Sequence, residues 1–202
     1  MGQGTSKLDL LVPRPSSLVP FLKFSVTLFP FIRPTSESGF CMTIAEYNQS
    51  VDDFSDGIYR FILKNIKNHE MAKDVVQDTY EKLWVRVAEV SPEKVRSYLF
   101  TTAYHTMIDL IRKENRMEDF NADRHDRENH EHAYTGLSEL LEAAVSRLPA
   151  DQRSVILLRD YEGYSYEDIS SITGLSESQV KVYIFRGRMF LKNFLGSIEA
   201  VI

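Results

Sequence analysis

The sequence is divided by a polar segment, residues 113–136, in which apolar residues recur at no regular interval. Acidic residues and histidines dominate it: Glu114, Glu118, Asp119, Asp123, Asp126, Glu128, Glu131, His125, His130 and His132. A segment of this composition buries too little apolar surface to fold alone, so a linker between two folded units is expected. The histidines match no familiar zinc spacing and have no cysteine beside them, which favours a solvated tether over a metal site.

On both sides of this segment apolar residues recur every three or four positions, as in amphipathic helices. The pattern predicts helices over 44–66 (one or two helices), 70–87, 95–112, 137–148, 152–160, 166–173 and 177–195. We therefore predict an all-α chain with two small helical domains, 42–116 and 137–202, joined by an acidic linker over 117–136. The C-terminal domain is predicted to contain a helix-turn-helix.

Residues 1–41 differ from the rest because they hold five prolines and an apolar stretch interrupted by Pro20, Lys23 and Pro30. That stretch is too short for a membrane span and lacks the layout of a signal peptide. We expect a disordered leader, or a native start at Met42. The single cysteine, Cys41, suits a reducing cytoplasm, and we predict a cytoplasmic protein without membrane insertion.

The predicted helix-turn-helix rests on turn chemistry. Ser165 and Asp168 suit a capping box, Gly174 suits a left-handed helix end, and Ser176 with Gln179 suits a second capping box. The apolar anchors would be Ile169, Ile172, Leu175, Val180 and Ile184. The opposite face would carry Ser178, Gln179, Lys181, Val182 and Arg186, with Arg188 and Lys192 adding charge. Gln179 could pair with adenine, Lys181 and Arg186 could bind phosphate or guanine, and the helix start at Ser176 suits a phosphate. An ordinary helical hairpin with a solvated basic end would look similar.

Longer strings accompany these residues. Before the linker they are Ala72-x-Asp74-x-Val76-Gln77-Asp78, Leu83-Trp84, Tyr98-Leu99-Phe100 and Asp109-x-x-Arg112-Lys113. After it they are Leu148-Pro149-x-x-x-Arg153, Tyr161-Glu162-Gly163-Tyr164-Ser165-Tyr166-Glu167-Asp168-Ile169, Gly174-Leu175-Ser176, Val180-Lys181 and Arg186-Gly187-Arg188. In this order they resemble the sigma-70 family of bacterial RNA polymerase factors, closest to its small extracytoplasmic-function (ECF) group. The resemblance covers about residues 51–195, and Val-Lys-Val followed by Phe185-Arg186 resembles Bacteroidetes-type members.

The resemblance implies a role for each unit. The chain would bind core polymerase at its β′ clamp helices and its β flap. The residues that contact the β′ clamp helices would be Asp74, Gln77, Asp78 and Glu81. The −10 element would be captured and opened by Thr101, Thr102, Tyr104, His105, Arg112, Lys113 and Arg116. The −35 element would be contacted by Ser176, Ser178, Gln179, Lys181, Val182, Tyr183, Arg186 and Arg188. Many relatives carry arginine near Thr101 and asparagine at His105, so the captured base is left open. Relatives often carry arginine at Tyr183, and its absence here removes one phosphate contact at the −35 element.

The predicted function is therefore promoter recognition and strand opening by a dissociable sigma factor, with an anti-sigma factor as a further partner. A net charge of −5 suits a DNA binder that reaches promoters only within a larger complex. Two alternatives are a helix-turn-helix regulator that acts without core polymerase and a protein-interaction module. No phosphate loop, metal set or nucleophile–base pair is present in the sequence, so we predict no enzyme, no cofactor and no small-molecule substrate.

Overall fold

The computed structural model describes residues 42–118 and 137–199. Within these ranges the chain forms seven α-helices and no strand, which confirms the predicted all-α class. The chain is divided into two compact units between Leu110 and Ile111. The predicted leader over 1–41, most of the predicted linker and its three histidines lie outside the described residues.

The first unit is built on α1 (Ile44–Ile66), α2 (His69–Val85) and the larger part of α3 (Val95–Glu118), a helix that continues past Leu110. A 3₁₀ turn over Pro92–Lys94 precedes α3. The sequence left open whether 44–66 forms one helix or two, and the structure shows one. The predicted limits of α2, 70–87, are wrong by a residue or two, because Asn68 caps the helix one residue earlier, accepting from the N–H groups of Glu70 and Met71. The predicted end of α3 at 112 is also wrong, since the helix continues to Glu118.

Two buried tyrosines join α1 to α2. The Tyr80 hydroxyl donates to the Ser50 carbonyl oxygen at 2.9 Å, and the Tyr47 hydroxyl donates to the Tyr80 carbonyl oxygen at 3.3 Å. Their rings meet edge to face with centroids 6.1 Å apart. Burial raises the pKa of both hydroxyls. Because a buried hydroxyl without a partner is costly, this reciprocal pairing fixes the register of the two helices.

The second unit contains α4 (Leu137–Ser146), α5 (Ala150–Ile156), α6 (Tyr166–Thr173) and α7 (Glu177–Glu199). A π-helical turn over Leu157–Tyr161 extends α5, so the predicted regular helix over 152–160 is wrong in both its start and its geometry. The predicted helix over 137–148 is wrong at its end, because it stops at Ser146, and the predicted end of α7 at 195 falls short of Glu199.

Arg153 holds the end of α4 against α5. Its Nη2 donates to the carbonyl oxygens of Ser146 and Leu148, each at 2.9 Å, and its Nε donates to that of Val145 at 3.3 Å. These carbonyls belong to the last turn of α4 and the residues just after it, where few backbone N–H groups follow to pair with them, although that of Val145 also accepts from the Leu148 N–H at 3.1 Å. Partial burial of the guanidinium lowers the pKa of Arg153, yet the group stays charged. The contact orients the two helices on which α7 lies.

The longest helix of this unit, α7, approaches α5 most closely at Gly187. A Cβ atom at this position would lie 2.8 Å from Cγ1 of Ile156, which is itself buried. A glycine is therefore required for the two helices to come this close. The predicted anchors Ile169, Ile172, Val180 and Ile184 are buried, while Leu175 in the turn is half-buried. In the described ranges, no helix is long and apolar enough to cross a membrane.

We predict that Gly187→Ala destabilises the second unit by about 1–2 kcal/mol, because the overpacking against Ile156 outweighs the better helix propensity of alanine. Gly196→Ala on the same helix is the matched control, since a Cβ there meets nothing within 4 Å. That variant should be neutral or more stable by up to about 1 kcal/mol. Chemical denaturation followed by circular dichroism measures both. Equal stability of the two variants would contradict the close approach.

The start of α1 predicts a pH effect. The Thr43 N–H and hydroxyl donate to Oε2 of Glu46 at 2.7 and 2.9 Å, and these bonds hold the pKa of Glu46 below 4.5. A depressed carboxyl pKa contributes stability above the unfolded value that is lost as pH falls through the folded value. Glu46→Gln should therefore be less stable than the parent chain at neutral pH, with the gap closing below pH 4.5. Thermal midpoints across that range test this, and a gap independent of pH would be inconsistent with it.

Candidate nucleic-acid interface

The turn between α6 and α7 is fixed by the chemistry that the sequence predicts. The Asp168 N–H donates to Oγ of Ser165 at 3.0 Å, and the Ser165 N–H donates to Oδ2 of Asp168 at 3.2 Å, which forms a reciprocal capping box at the start of α6. Gly174 ends α6 with φ of 74°, in the left-handed region that favours glycine. The Ser170 hydroxyl then donates to the Leu175 carbonyl oxygen at 2.6 Å. The direction in which α7 leaves the turn is thereby defined.

A second capping box begins α7. The Gln179 N–H donates to Oγ of Ser176 at 3.3 Å, while the Ser176 N–H and hydroxyl donate to Oε1 of Gln179 at 3.0 and 2.9 Å. Oγ of Ser178 lies 3.0 Å from Oγ of Ser176. The pairing of Ser176 with Gln179 is thus confirmed, and it occupies the Gln179 carbonyl oxygen that an adenine contact would use.

The outward face of α7 lies opposite its buried positions. Ser178, Val182, Phe185 and Met189 follow one another there at intervals of three and four residues, and all four are exposed. Phe185 is 66% exposed, and sequence reasoning did not assign it to the site. The signal was available, because Ile184 was already predicted to face inward and the next position on a helix is turned by about 100° from it.

The cations of this unit differ in how they are engaged. Arg186 is exposed and, within the described ranges, has no ion-pair partner. Lys181 lies 3.3 Å from the Glu177 carboxylate, one helical turn away and largely exposed. Arg188 is held differently, since its Nε and Nη2 both contact the carboxylate of Asp160, with the Nε–Oδ2 distance 3.2 Å. That hydrogen bond raises the pKa of Arg188.

A further cation, missed by sequence reasoning, borders the same region. The Arg159 guanidinium lies 4.8 Å from the centroid of the Tyr166 ring and donates to the Tyr164 carbonyl oxygen at 2.6 Å. Lys181 approaches the same ring at 5.9 Å. The Tyr166 ring at the start of α6 thus has two cations near it, Arg159 and Lys181. Tyr183, assigned to the site from sequence, is half-buried.

In the first unit, α2 carries an acidic and amide stripe. Asp74, Gln77, Asp78 and Glu81 follow the i, i+3, i+4, i+7 spacing of one helix face and are all exposed. None of the four has a hydrogen-bond or ion-pair partner among the described residues. Trp84 at the end of α2 is half-buried and packs edge to face on Tyr47, with centroids 5.2 Å apart. Trp84 thus lies at the edge of the core of the first unit.

The candidate residues on α3 separate into two groups. Tyr104 is 6% exposed and packs within the first unit, so it belongs to the core and not to a surface that could stack on a base. His105 is exposed, while Thr101 and Thr102 are half-buried, with the Thr101 hydroxyl donating to the Ser97 carbonyl oxygen at 2.8 Å. Further along α3, exposed cations follow at Arg112, Lys113 and Arg116.

Both halves of the chain match models of one family. Residues 51–117 match sigma-70 region 2, and residues 138–191 match sigma-70 region 4. Together these ranges cover more than half of the chain, and they contain the α2 stripe, the α3 candidates and the α6–α7 turn. The order of the two regions is the one predicted from the sequence strings.

Known proteins that resemble this chain are also sigma factors. The chain is 27% identical over 179 residues to the ECF RNA polymerase sigma factor SigE of Mycolicibacterium smegmatis, covering 82% of this chain and 70% of that protein. It is 27% identical over 157 residues to the ECF sigma factor SigM of Bacillus subtilis, covering 75% of this chain and 94% of SigM. The sigma factor RpoE of Bartonella quintana, solved in complex with the anti-sigma factor NepR, superposes with a TM-score of 0.63 at 27% identity, over 75% of this chain and 97% of RpoE.

These matches cover both helical units and agree with their residue patterns. The narrower resemblance to Bacteroidetes-type members stays a prediction. The chain belongs to the sigma-70 family, as an ECF sigma factor that acts with RNA polymerase in transcription initiation.

Proposed function

We propose that the two units divide promoter recognition between them: α2 binds core polymerase, α3 captures and opens the −10 element, and α6 with α7 contacts the −35 element. The observation that carries this proposal is the segregation of charge. An unpaired acidic stripe lies on α2, and exposed cations lie on α3 and α7. A chain of net charge −5 can bind DNA only if its cations are gathered in this way.

The α2 stripe suits a protein partner with a basic surface. Asp74, Asp78 and Glu81 have no partner in their own unit, so binding to cations need not first break an internal ion pair. The β′ clamp helices of the polymerase are the partner that we assign to this face. The amide of Gln77 adds a donor and an acceptor within the same stripe.

For the −10 element, we assign fewer side chains to base capture than the sequence predicted. With Tyr104 in the core, we assign base capture to His105 together with Thr101 and Thr102, and contact with the phosphate backbone to Arg112, Lys113 and Arg116. Strand opening requires a group that stabilises an unpaired base and cations that hold the single strand. The exposed imidazole of His105 is the aromatic group available on this part of α3.

For the −35 element, α7 would enter the major groove with Ser178, Val182 and Phe185 towards the bases. Lys181 and Arg186 flank this line of residues on either side and would contact phosphates or guanine. The N-terminal ends of α6 and α7 would add backbone N–H groups for phosphates. Arg159, beside Tyr166, adds a cation at the edge of the same surface.

The remaining assignments follow from this division. We assign the domains to residues 42–116 and 137–202, with 117–136 as the linker and the β flap as the partner of the second domain. The protein would act in the cytoplasm as a non-enzymatic polymerase subunit without a cofactor. An anti-sigma factor is proposed as its regulator, because RpoE of Bartonella quintana was solved with one. A regulator that acts without core polymerase is the alternative, and it would leave the α2 stripe without a role.

The polymerase contact predicts a charge-reversal effect. Asp78→Arg should abolish co-purification with core polymerase and reduce run-off transcription at least tenfold, because it places a cation against a basic partner. Glu93→Arg, at an exposed acid outside α2, is the matched control and should retain both activities. Promoter binding by the chain alone, undiminished by Asp78→Arg, would instead favour the regulator.

The DNA contact predicts a difference between cations on one helix. Lys181→Gln and Arg186→Gln should each lower run-off transcription severalfold across promoter sequences, with a shallower dependence on salt. Arg188→Gln should have little effect, since Asp160 already holds the Arg188 guanidinium, whereas the exposed pair of Lys181 with Glu177 is easily broken. A loss at Arg188 equal to that at Arg186 would contradict this assignment.

A further inference from the structure

The hydrogen-bonding capacity of Gln179 is largely used by the cap at the start of α7. Its carbonyl oxygen has two lone pairs, and it accepts two hydrogen bonds, from the Ser176 N–H at 3.0 Å and the Ser176 hydroxyl at 2.9 Å. The N–H can only donate, so the side-chain atom that faces it must be the oxygen of the amide and not its nitrogen. Nε2 is therefore the group of Gln179 that remains for a ligand.

The neighbouring serine helps to keep this arrangement. The Ser176 hydroxyl has a single hydrogen, which goes to Oε1 of Gln179 because that atom cannot donate. The contact of 3.0 Å between Oγ of Ser176 and Oγ of Ser178 must then use the hydrogen of Ser178. Ser176 also accepts from the Gln179 N–H at 3.3 Å, so its hydroxyl is engaged in three hydrogen bonds. A rotation of the Gln179 amide would place Nε2 against the Ser176 N–H, so that two donors would face each other.

We infer that this cap determines what Gln179 recognises: it acts as a donor through Nε2 only, and it binds a pair of acceptors on DNA instead of adenine. Adenine would require the amide to accept from N6 while donating to N7, and no lone pair of Oε1 is left for N6. The two N–H groups of Nε2 suit the adjacent O6 and N7 acceptors of guanine, or the oxygens of a phosphate. This inference rests on the proposed contact of α7 with the −35 element and replaces the predicted adenine pairing.

The test is transcription by the full chain with core polymerase from a promoter library randomised in the −35 element. The parent chain should prefer guanine over adenine about tenfold at one base pair. Gln179→Glu keeps the cap, because glutamate accepts the same two bonds, but it removes both N–H groups. That variant should lose the guanine preference with no decrease in its thermal midpoint, since a carboxylate in the first turn of a helix is stabilising. If the donor binds a phosphate instead, Gln179→Glu lowers transcription equally for all sequences.

Two control variants show whether the effect of Gln179→Glu comes from the added negative charge or from a change in the cap, and a third variant weakens the cap itself. Asn193→Asp adds a negative charge to an exposed position about 21 Å further along α7 and should keep the guanine preference. Ser176→Thr retains the hydroxyl and should keep it too. Ser176→Ala frees one lone pair of Oε1, so adenine should become better tolerated at the same base pair.

The inference is overturned if the parent chain prefers adenine at the base pair that responds to Gln179, or if Gln179→Glu leaves both the preference and the amount of transcript unchanged. Failure of the proposed function has a different signature. In that case randomising the −35 element has no effect on the parent chain, and Lys181→Gln and Arg186→Gln transcribe normally.

Discussion

The close contact between Gly187 on α7 and Ile156 on α5 positions the rest of the second unit. With no side chain at Gly187, α7 lies directly on α5, and the predicted anchors Val180 and Ile184 on the same helix are buried. Burial of one side of α7 determines which residues face outward on the other. The line from Ser178 to Met189 is therefore a consequence of helix packing as much as of local sequence, and the surface proposed to read DNA depends on a glycine that is not itself assigned to DNA.

The charged side chains divide into those that are bound within the fold and those that are assigned to partners. Cations that stabilise the fold are engaged by specific acceptors, as Arg153 is by three carbonyl oxygens and Arg188 is by Asp160. Charged residues assigned to partners, such as Asp78 and Arg186, have no partner within the described ranges. Because exposed ion pairs contribute little to stability, leaving these residues unpaired costs the fold little. It also keeps them available to polymerase and DNA.

Much of the fold could be predicted because its signals are local. The capping boxes at Ser165 and Ser176 and the glycine at Gly174 depend on residues within three or four positions of one another, and all three are present in the structure. The wrong helix limits, at Asn68 and at the π-helical turn after Ile156, have a physical reason. At these two positions a capping side chain or a change in hydrogen-bond spacing determines where the regular helix begins or ends, and the pattern of apolar residues contains no signal for either.

The sequence alone determined the helical class, the family and the faces of α2 and α7, because spacing along a helix fixes which residues share a side. Only the tertiary structure decided which of those residues are available. It buried Tyr104, paired Arg188 with Asp160, brought Arg159 beside Tyr166 and exposed Phe185. These outcomes depend on how separate helices and turns approach one another, which no local pattern specifies. Even at Gln179, the sequence indicated the cap, and the distances showed that the carbonyl oxygen has no capacity left for a base.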